Sequence, residues 1–209
     1  MPTDIIHNHR SDLYKIMDLI PKKARILDLG CGDGTLLNLL IEQKNIKGTG
    51  IEYSQNKIIE CVKKGVPVVH GNLNDGLDEF QDNTFDFVIL SRTLQSVNRP
   101  DQLLSAMARI GKKVIISFIN MGFFKSRCQL MFSGKMPITK TLPYTWYNTP
   151  NTHLATIKDF QYLCSELNLY IVNKIPLGNK INLPARLWPN MFSSTCVFTI
   201  TAHKQNSEE

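Results

Sequence analysis

The chain has 209 residues, 43% of them hydrophobic and 20% charged, with a formal net charge of +6 at neutral pH. That size and balance predict one soluble domain with a full core, and no apolar run approaches the ~20 residues that a membrane helix requires. Five cysteines, with no Cys-x-x-Cys pair, argue against a disulfide framework or a zinc site. With a polar stretch over residues 1–10 where a signal peptide would be apolar, the expected setting is the cytoplasm.

In chain order, Ser11 is placed to cap a short helix whose Leu13, Ile16, Met17 and Ile20 recur on one face, with Pro21 closing it. Ile26, Leu27 and Leu29 around Asp28 read as a first strand. It runs straight into Gly30-Cys31-Gly32-Asp33-Gly34 and then an amphipathic helix over 35–41. A second strand over 46–51 ends in Glu52, and Ser54 caps a helix carrying Ile58, Ile59 and Val62 up to Gly65. Residues 66–70 form a third strand leading to Gly71-Asn72-Leu73, and 85–90 an apolar central strand. Pro100 opens a helix with Leu103, Leu104, Met107 and Ile110 on one side, stopped by Gly111, and residues 113–118 are the fifth strand. Thr156-x-x-Asp159 is a capping box that opens a helix with Ile157, Phe160, Leu163, Cys164 and Leu167. Two final strands, 170–175 and 195–202, flank a connection broken by Pro184 and Pro189, and residues 204–209 form a polar tail expected to be disordered. Alternating strands and helices predict a parallel sheet covered on both faces.

The glycine loop between the first strand and its helix carries the functional signal. Gly-x-Gly-x-Gly allows a sharp reversal and a close approach of ligand to backbone, but it is not the Gly-x-Gly-x-x-Gly that seats a pyrophosphate. Asp28 and Asp33 would repel a phosphate. A ligand with a cationic part suits the loop better, and S-adenosylmethionine carries an ammonium and a sulfonium. Glu52, 24 residues after Asp28, stands at the tip of the second strand, where a carboxylate can accept hydrogen bonds from both ribose hydroxyls. Tyr53 beside it offers a flat face to an adenine. Replacing Gly30 by Val is expected to block the ligand and leave the fold largely intact.

DLGCGDG followed by GIEYS resembles the first two motifs of class I S-adenosylmethionine-dependent methyltransferases. More narrowly, RILDLGCGDGTLLNLL, GNLNDGLDEFQDNTFDFVILSRTLQSVNRPDQLL and SGKMPITKTLPYTWYNTPNTHLATIKDF are similar to the methionine biosynthesis protein MetW family, the third stretch most tellingly. The resemblance implies a Rossmann-like α/β fold with a mostly parallel seven-stranded sheet, an antiparallel last strand and helices on both faces. It implies residues 1–204 as one domain, 119–155 as an inserted covering or partner segment, and 205–209 as a disordered tail. S-adenosylmethionine or S-adenosylhomocysteine is the implied ligand, held by Asp28, Gly30, Gly32, Glu52, Tyr53, Asn72, Leu73 and Ser91. Asn72 stands where similar enzymes place a carboxylate for the adenine amino group; its other reading is a turn asparagine before Asn74-Asp75-Gly76. Ser91 follows the fourth strand, beside the methionine part. The implied role lies in methionine biosynthesis, with the homoserine O-acyltransferase MetX as partner.

No catalytic constellation is visible. The Asn/Asp-Pro-Pro-Tyr signature of amino-methylating relatives is absent, and the chain has Ser91-Arg92-Thr93-Leu94 in its place. His153 and the tyrosines around it are the titratable base candidates, His153 reading better as a loop or packing residue. Charge is segregated. Residues 102–209 hold 4 carboxylates against 12 basic side chains, with no acidic residue between Asp101 and Asp159. Phe123, Phe124, Phe132, Tyr144, Trp146 and Tyr147 interleave there with Lys125, Arg127, Lys135 and Lys140, and Pro137, Pro143 and Pro150 keep the later half out of regular helix. Such a segment suits an acidic protein surface or nucleic acid, or else a loop with its aromatics buried over the sheet; no RNA-binding motif accompanies it. Two functions follow: an accessory subunit that reports ligand level to the acyltransferase, or an active methyltransferase on a small molecule, protein or RNA.

Overall fold

The computed structural model describes residues 10–178, 185 and 187–202; the predicted tail, Pro184 and the first nine residues lie outside them. Helix α1 (Ser11–Leu19) precedes β1 (Arg25–Leu29), α2 (Thr35–Lys44), β2 (Lys47–Glu52), α3 (Gln55–Lys63) and β3 (Val68–His70). A single 3-10 turn at Leu73–Asp75 leads to β4 (Phe85–Ser91), and a second at Leu94–Ser96 leads to α4 (Pro100–Ile110) and β5 (Gly111–Ile119). Helices α5 (Phe124–Ser133) and α6 (Ile157–Glu166), strand β6 (Tyr170–Leu177), a short α7 (Pro189–Phe192) and β7 (Thr195–Thr201) complete the order. The strands form one sheet in the order β3-β2-β1-β4-β5-β7-β6, parallel except for β7, which runs antiparallel to both neighbours.

The period-2 alternation of β1 separates two cores. Leu27 and Leu29 face a layer with Leu104 and Met107 of α4 and Phe160 of α6. Ile26 faces the opposite layer, with Ile16 of α1, Leu37 of α2 and Cys61 of α3. Asp28 shares the parity of Ile26, so its carboxylate emerges on the side of α1 rather than among the α4 and α6 side chains.

Several boundaries differ from the sequence reading, each for a local reason. Arg10, not Ser11, is the N-cap of α1 and makes no side-chain cap bond, since a guanidinium has no acceptor to offer a helix N–H; it donates instead to Asp12 and Ser91. β3 begins at Val68 rather than Val66, since Pro67 has no N–H to give the ladder. Gly111 is extended (φ −118) and starts β5 directly from the end of α4. β6 continues through Pro176, which an edge strand tolerates. The capping box forms as expected: Thr156 Oγ1 accepts from the Asp159 N–H at 3.2 Å, and the Thr156 N–H donates to Asp159 Oδ2 at 2.9 Å.

Candidate functional site: two joined cavities at the carboxyl edge of the sheet

Parallel strands bring the ends of β1, β2 and β4 to one edge, where open α/β sheets hold ligands. Two cavities adjoin there. One, of about 320 Å³, is walled by Asp28, Gly30, Gly32, Ser91 and Arg92, with Arg10 from the start of α1 and Tyr144 from the segment after α5. The other, of about 650 Å³, is walled by Gly30, Glu52, Tyr53, Asn72, Leu73, Thr93, Pro150 and Asn151. Gly30, Lys57, Arg92 and Thr93 border both. All eight residues singled out from the sequence therefore lie on these walls, Asp28, Gly32 and Ser91 in the smaller space, Glu52, Tyr53, Asn72 and Leu73 in the larger, and Gly30 between them.

The loop needs its glycines for two different reasons. Gly30 has φ +66, and a Cβ there would stand 2.8 Å from Thr93 Oγ1 and Cγ2. Gly30→Val would thus collide with the protein itself, so the expectation that it leaves the fold intact is corrected. Gly32 has φ +61 with nothing within 4 Å of an added Cβ; its open side is the smaller cavity. Underneath, the Cys61 thiol donates to the Gly32 carbonyl at 3.1 Å, and burial pushes the Cys31 and Cys61 thiols up, leaving them packing groups.

Glu52 is buried at the end of β2 and braces the loop. Its Oε2 accepts from the Gly32 N–H and its Oε1 from the Ser54 N–H, both at 2.9 Å. Each oxygen keeps a second lone pair for a further donor. Ser54 therefore starts α3 through its backbone, with no side-chain cap. Asp33 is directed at α2 and α3: it accepts from Thr35 Oγ1 at 2.7 Å and pairs with Lys64 Nζ at 2.6 Å. Burial pushes the Asp33 carboxyl up, but the bonds from Lys64 and Thr35 outweigh it and hold it below its ordinary value. The other carboxylates on the two walls are Asp28 and Glu52, beside the basic Arg10, Lys57 and Arg92.

Asp28 is 2% exposed, and its Oδ1 has no hydrogen-bond partner. Burial pushes its carboxyl up to about 7, against a downward pull from Arg10 and with a smaller push from Glu52. Asn72 acts as the turn asparagine: its Oδ1 accepts from the N–H and the Nδ2 of Asn74, at 3.1 and 3.0 Å. Tyr53 is exposed on the wall and stacks on His70, with centroids 5.8 Å apart.

Sequence reading missed the network behind Ser91. Asp12, fully buried on α1, pairs with Arg92 at 2.9 Å and with Arg10 at 3.3 Å, and accepts from the hydroxyls of Ser91 (3.2 Å) and Ser117 (3.0 Å). Arg10 donates to Ser91 Oγ at 2.8 Å. Arg92 holds φ +57, a conformation that its N–H···O bond to Ser117 (2.8 Å) and its pairing to Asp12 impose. The available signal was Asp12 itself, a carboxylate on the helix face of Ile16 and Ile20 that had to find partners.

The segment after β5 is pinned over the site by buried Gln95, whose carbonyl accepts from the Thr152 and His153 N–H groups at 2.8 and 3.0 Å. Its side chain donates to the His153 carbonyl at 3.2 Å and accepts from the Ile119 N–H at 3.0 Å. His153 is exposed and forms no part of either cavity wall, as a loop histidine. Among the described residues no group of three or more His, Cys, Asp and Glu side chains could hold a metal ion, and no helix is long and apolar enough to cross a membrane.

Sheet order, a glycine loop after β1 and a carboxylate ending β2 define the fold of class I S-adenosylmethionine-dependent methyltransferases. A possible histamine N-methyltransferase from Thermotoga maritima superposes with a TM-score of 0.64 at 20% identity, over 92% of this chain and 88% of that one. A putative methyltransferase from Listeria monocytogenes gives 0.68 at 14% identity, over 92% and 98%. Within that class, residues 10–200 match the family described as Methionine biosynthesis protein MetW, and the chain belongs to it. The bifunctional methionine biosynthesis protein MetXA/MetW of Rhodopirellula baltica is 33% identical over 99% of this chain and 34% of its own length, so the chain spans about a third of that relative. A demethylmenaquinone methyltransferase of Bacillus cereus is 31% identical over 80% of this chain and 78% of that protein.

Proposed function

We propose that this chain binds S-adenosylmethionine, or its demethylated product, across the two joined cavities and reports that ligand to a homoserine O-acyltransferase as an accessory subunit. The observation that carries the ligand is the buried, unpartnered Asp28 Oδ1 on a cavity wall. An orphaned carboxylate oxygen is costly unless a donor arrives, and the ligand's ammonium is such a donor. Glu52 and Tyr53 would hold the ribose and adenine in the larger cavity, and Gly32 leaves room for the chain between. When bound, S-adenosylmethionine supplies a methyl group activated by sulfonium.

The accessory role is supported by the relative whose name joins MetXA and MetW in one polypeptide. It also draws on the chemistry at the end of β4, where Ser91 and Arg92 are tied to Asp12 rather than arranged around an acceptor. S-adenosylmethionine lies downstream of homoserine acylation, so such a subunit would couple end product to the first step. The test is the steady-state rate of the organism's homoserine O-acyltransferase with and without this chain, each with and without S-adenosylmethionine. A rate that depends on both supports the proposal; one indifferent to the chain overturns the accessory role. The second reading, an active methyltransferase, is favoured by the match over 78% of a demethylmenaquinone methyltransferase and predicts methyl transfer to a defined acceptor.

A further inference from the structure

Helix α5 is built inside out. The one buried residue along it is Ser126, while Leu130, Met131 and Phe132 point to solvent, the last two 70% and 79% exposed. A helix in a closed core does the reverse. The chain after it folds back to extend the apolar face, since the Ile138 N–H donates to Gln129 Oε1 at 3.1 Å, and Met136 and Ile138 are also exposed. Farther on, Trp146 and Tyr147 stand 74% and 73% exposed, edge to face with centroids 5.7 Å apart. They are presented by a turn in which Asn148 Oδ1 accepts from the Thr145 N–H at 2.9 Å and the Thr145 hydroxyl at 2.8 Å. A backbone turn fixed in this way loses little freedom on docking. Lys125, Lys135 and Lys140 are exposed along the same stretch, and no carboxylate occurs from residue 102 to 158.

We infer that residues 124–147 form a docking surface for a protein that presents an apolar cleft rimmed by carboxylates. Resting on the function proposed above, that protein is the acyltransferase subunit. Leu130, Met131 and Ile138 are aliphatic and fill protein clefts rather than stack on bases. The segment's arginine, Arg127, is held by the Gly122 carbonyl at 2.6 Å, away from the stacking role that RNA recognition gives arginine. Unpaired lysines around an apolar centre are the arrangement of a steered protein interface. The surface also touches the ligand site, because Tyr144, two residues before Trp146, lines the smaller cavity. Ligand and partner therefore act on one segment, and each changes the affinity for the other by the same factor.

The test is the dissociation constant of the full chain with the organism's homoserine O-acyltransferase. It compares the wild type with the double variants Met131→Ala/Phe132→Ala and Trp146→Ala/Tyr147→Ala, and with Lys135→Glu/Lys140→Glu. Val62→Ala, an exposed apolar position on α3, is the control, and unchanged melting and S-adenosylhomocysteine binding verify the fold of every variant. Both truncations should weaken binding by about 30-fold or more, and the charge reversal should slow association and flatten its salt dependence. The control should match the wild type. Wild-type binding retained in both truncations overturns the docking surface and leaves the accessory role standing, whereas no wild-type binding overturns both. Tight binding of a single-stranded RNA oligonucleotide that Trp146→Ala/Tyr147→Ala abolishes would reassign the surface to nucleic acid.

Discussion

Asp28 gives the sharpest test of the site, because its folded and unfolded titrations are far apart. Its carboxyl rises from 3.8 to about 7, first through burial and less through Glu52, with Arg10 opposing. Between those two values the folded chain holds a proton that the unfolded chain has lost. The group's contribution to stability is therefore full in acid and falls as pH rises through that window. A shift of about three units corresponds to a buried-charge cost of at most about 4 kcal/mol above pH 7. Asp28→Asn removes the charge, so it should melt higher than the wild type at about pH 8, and the gap should close toward pH 5. Ligand binding should show the opposite face of the same titration. An ammonium needs the ionised carboxylate, so wild-type affinity for S-adenosylhomocysteine should fall about tenfold per pH unit below about pH 7. In Asp28→Asn it should be weak and flat across that range. Calorimetric titrations at a series of pH values measure both curves. A wild-type affinity independent of pH, or an equal slope in Asp28→Asn, would refute the placement of the cationic group at Asp28.

Glu52→Ala strips two backbone N–H groups of a charged acceptor and removes the proposed ribose contact. It should cost on the order of 2–3 kcal/mol in nucleoside binding and lower the melting temperature as well; an unchanged dissociation constant would place the ribose elsewhere. Gly32→Ala puts a methyl into the open cavity at a backbone cost of about 1–2 kcal/mol, so binding should fall by more than stability does. Normal ligand affinity in that variant would show the loop is not the contact surface. Asp12→Ala leaves Arg92 charged and unpaired in a mostly buried setting, which should destabilise the chain by about 3–5 kcal/mol in a denaturant titration. Lys64→Ala breaks a half-exposed pair with Asp33 and should change stability by less than about 1 kcal/mol.

What was legible in the sequence is what local pattern fixes. The strand, glycine loop and helix over 26–41, the carboxylate ending β2 and the Thr156 capping box each reside in a few consecutive residues, and each lies where its pattern implied. The two closing strands were legible from residues 170–175 and 195–202, and the antiparallel run of the last one from the family resemblance. The Asp12 network was not, since its bonds to Ser91 and Ser117 span 79 and 105 residues and no short pattern encodes them. Asn72 had two readings in sequence, because the same amide can serve a ligand or its own turn; its Oδ1 accepts from the Asn74 N–H while the residue lies on the wall of the larger cavity. The aromatics of the segment after β5 could read as buried or exposed from composition alone. Phe123 goes into the core while Phe132, Trp146 and Tyr147 stay outside, a division that depends on the path of the segment rather than on its composition.

The most direct measurement is a calorimetric titration of the purified chain with S-adenosylmethionine, alone and in the presence of the homoserine O-acyltransferase. The proposed function predicts one site per chain in both cases and a dissociation constant that differs between them, with the same factor recovered when the acyltransferase is titrated with and without ligand. A chain that binds S-adenosylmethionine identically whether or not the acyltransferase is present would contradict the reporting role, and no binding at all would contradict the site.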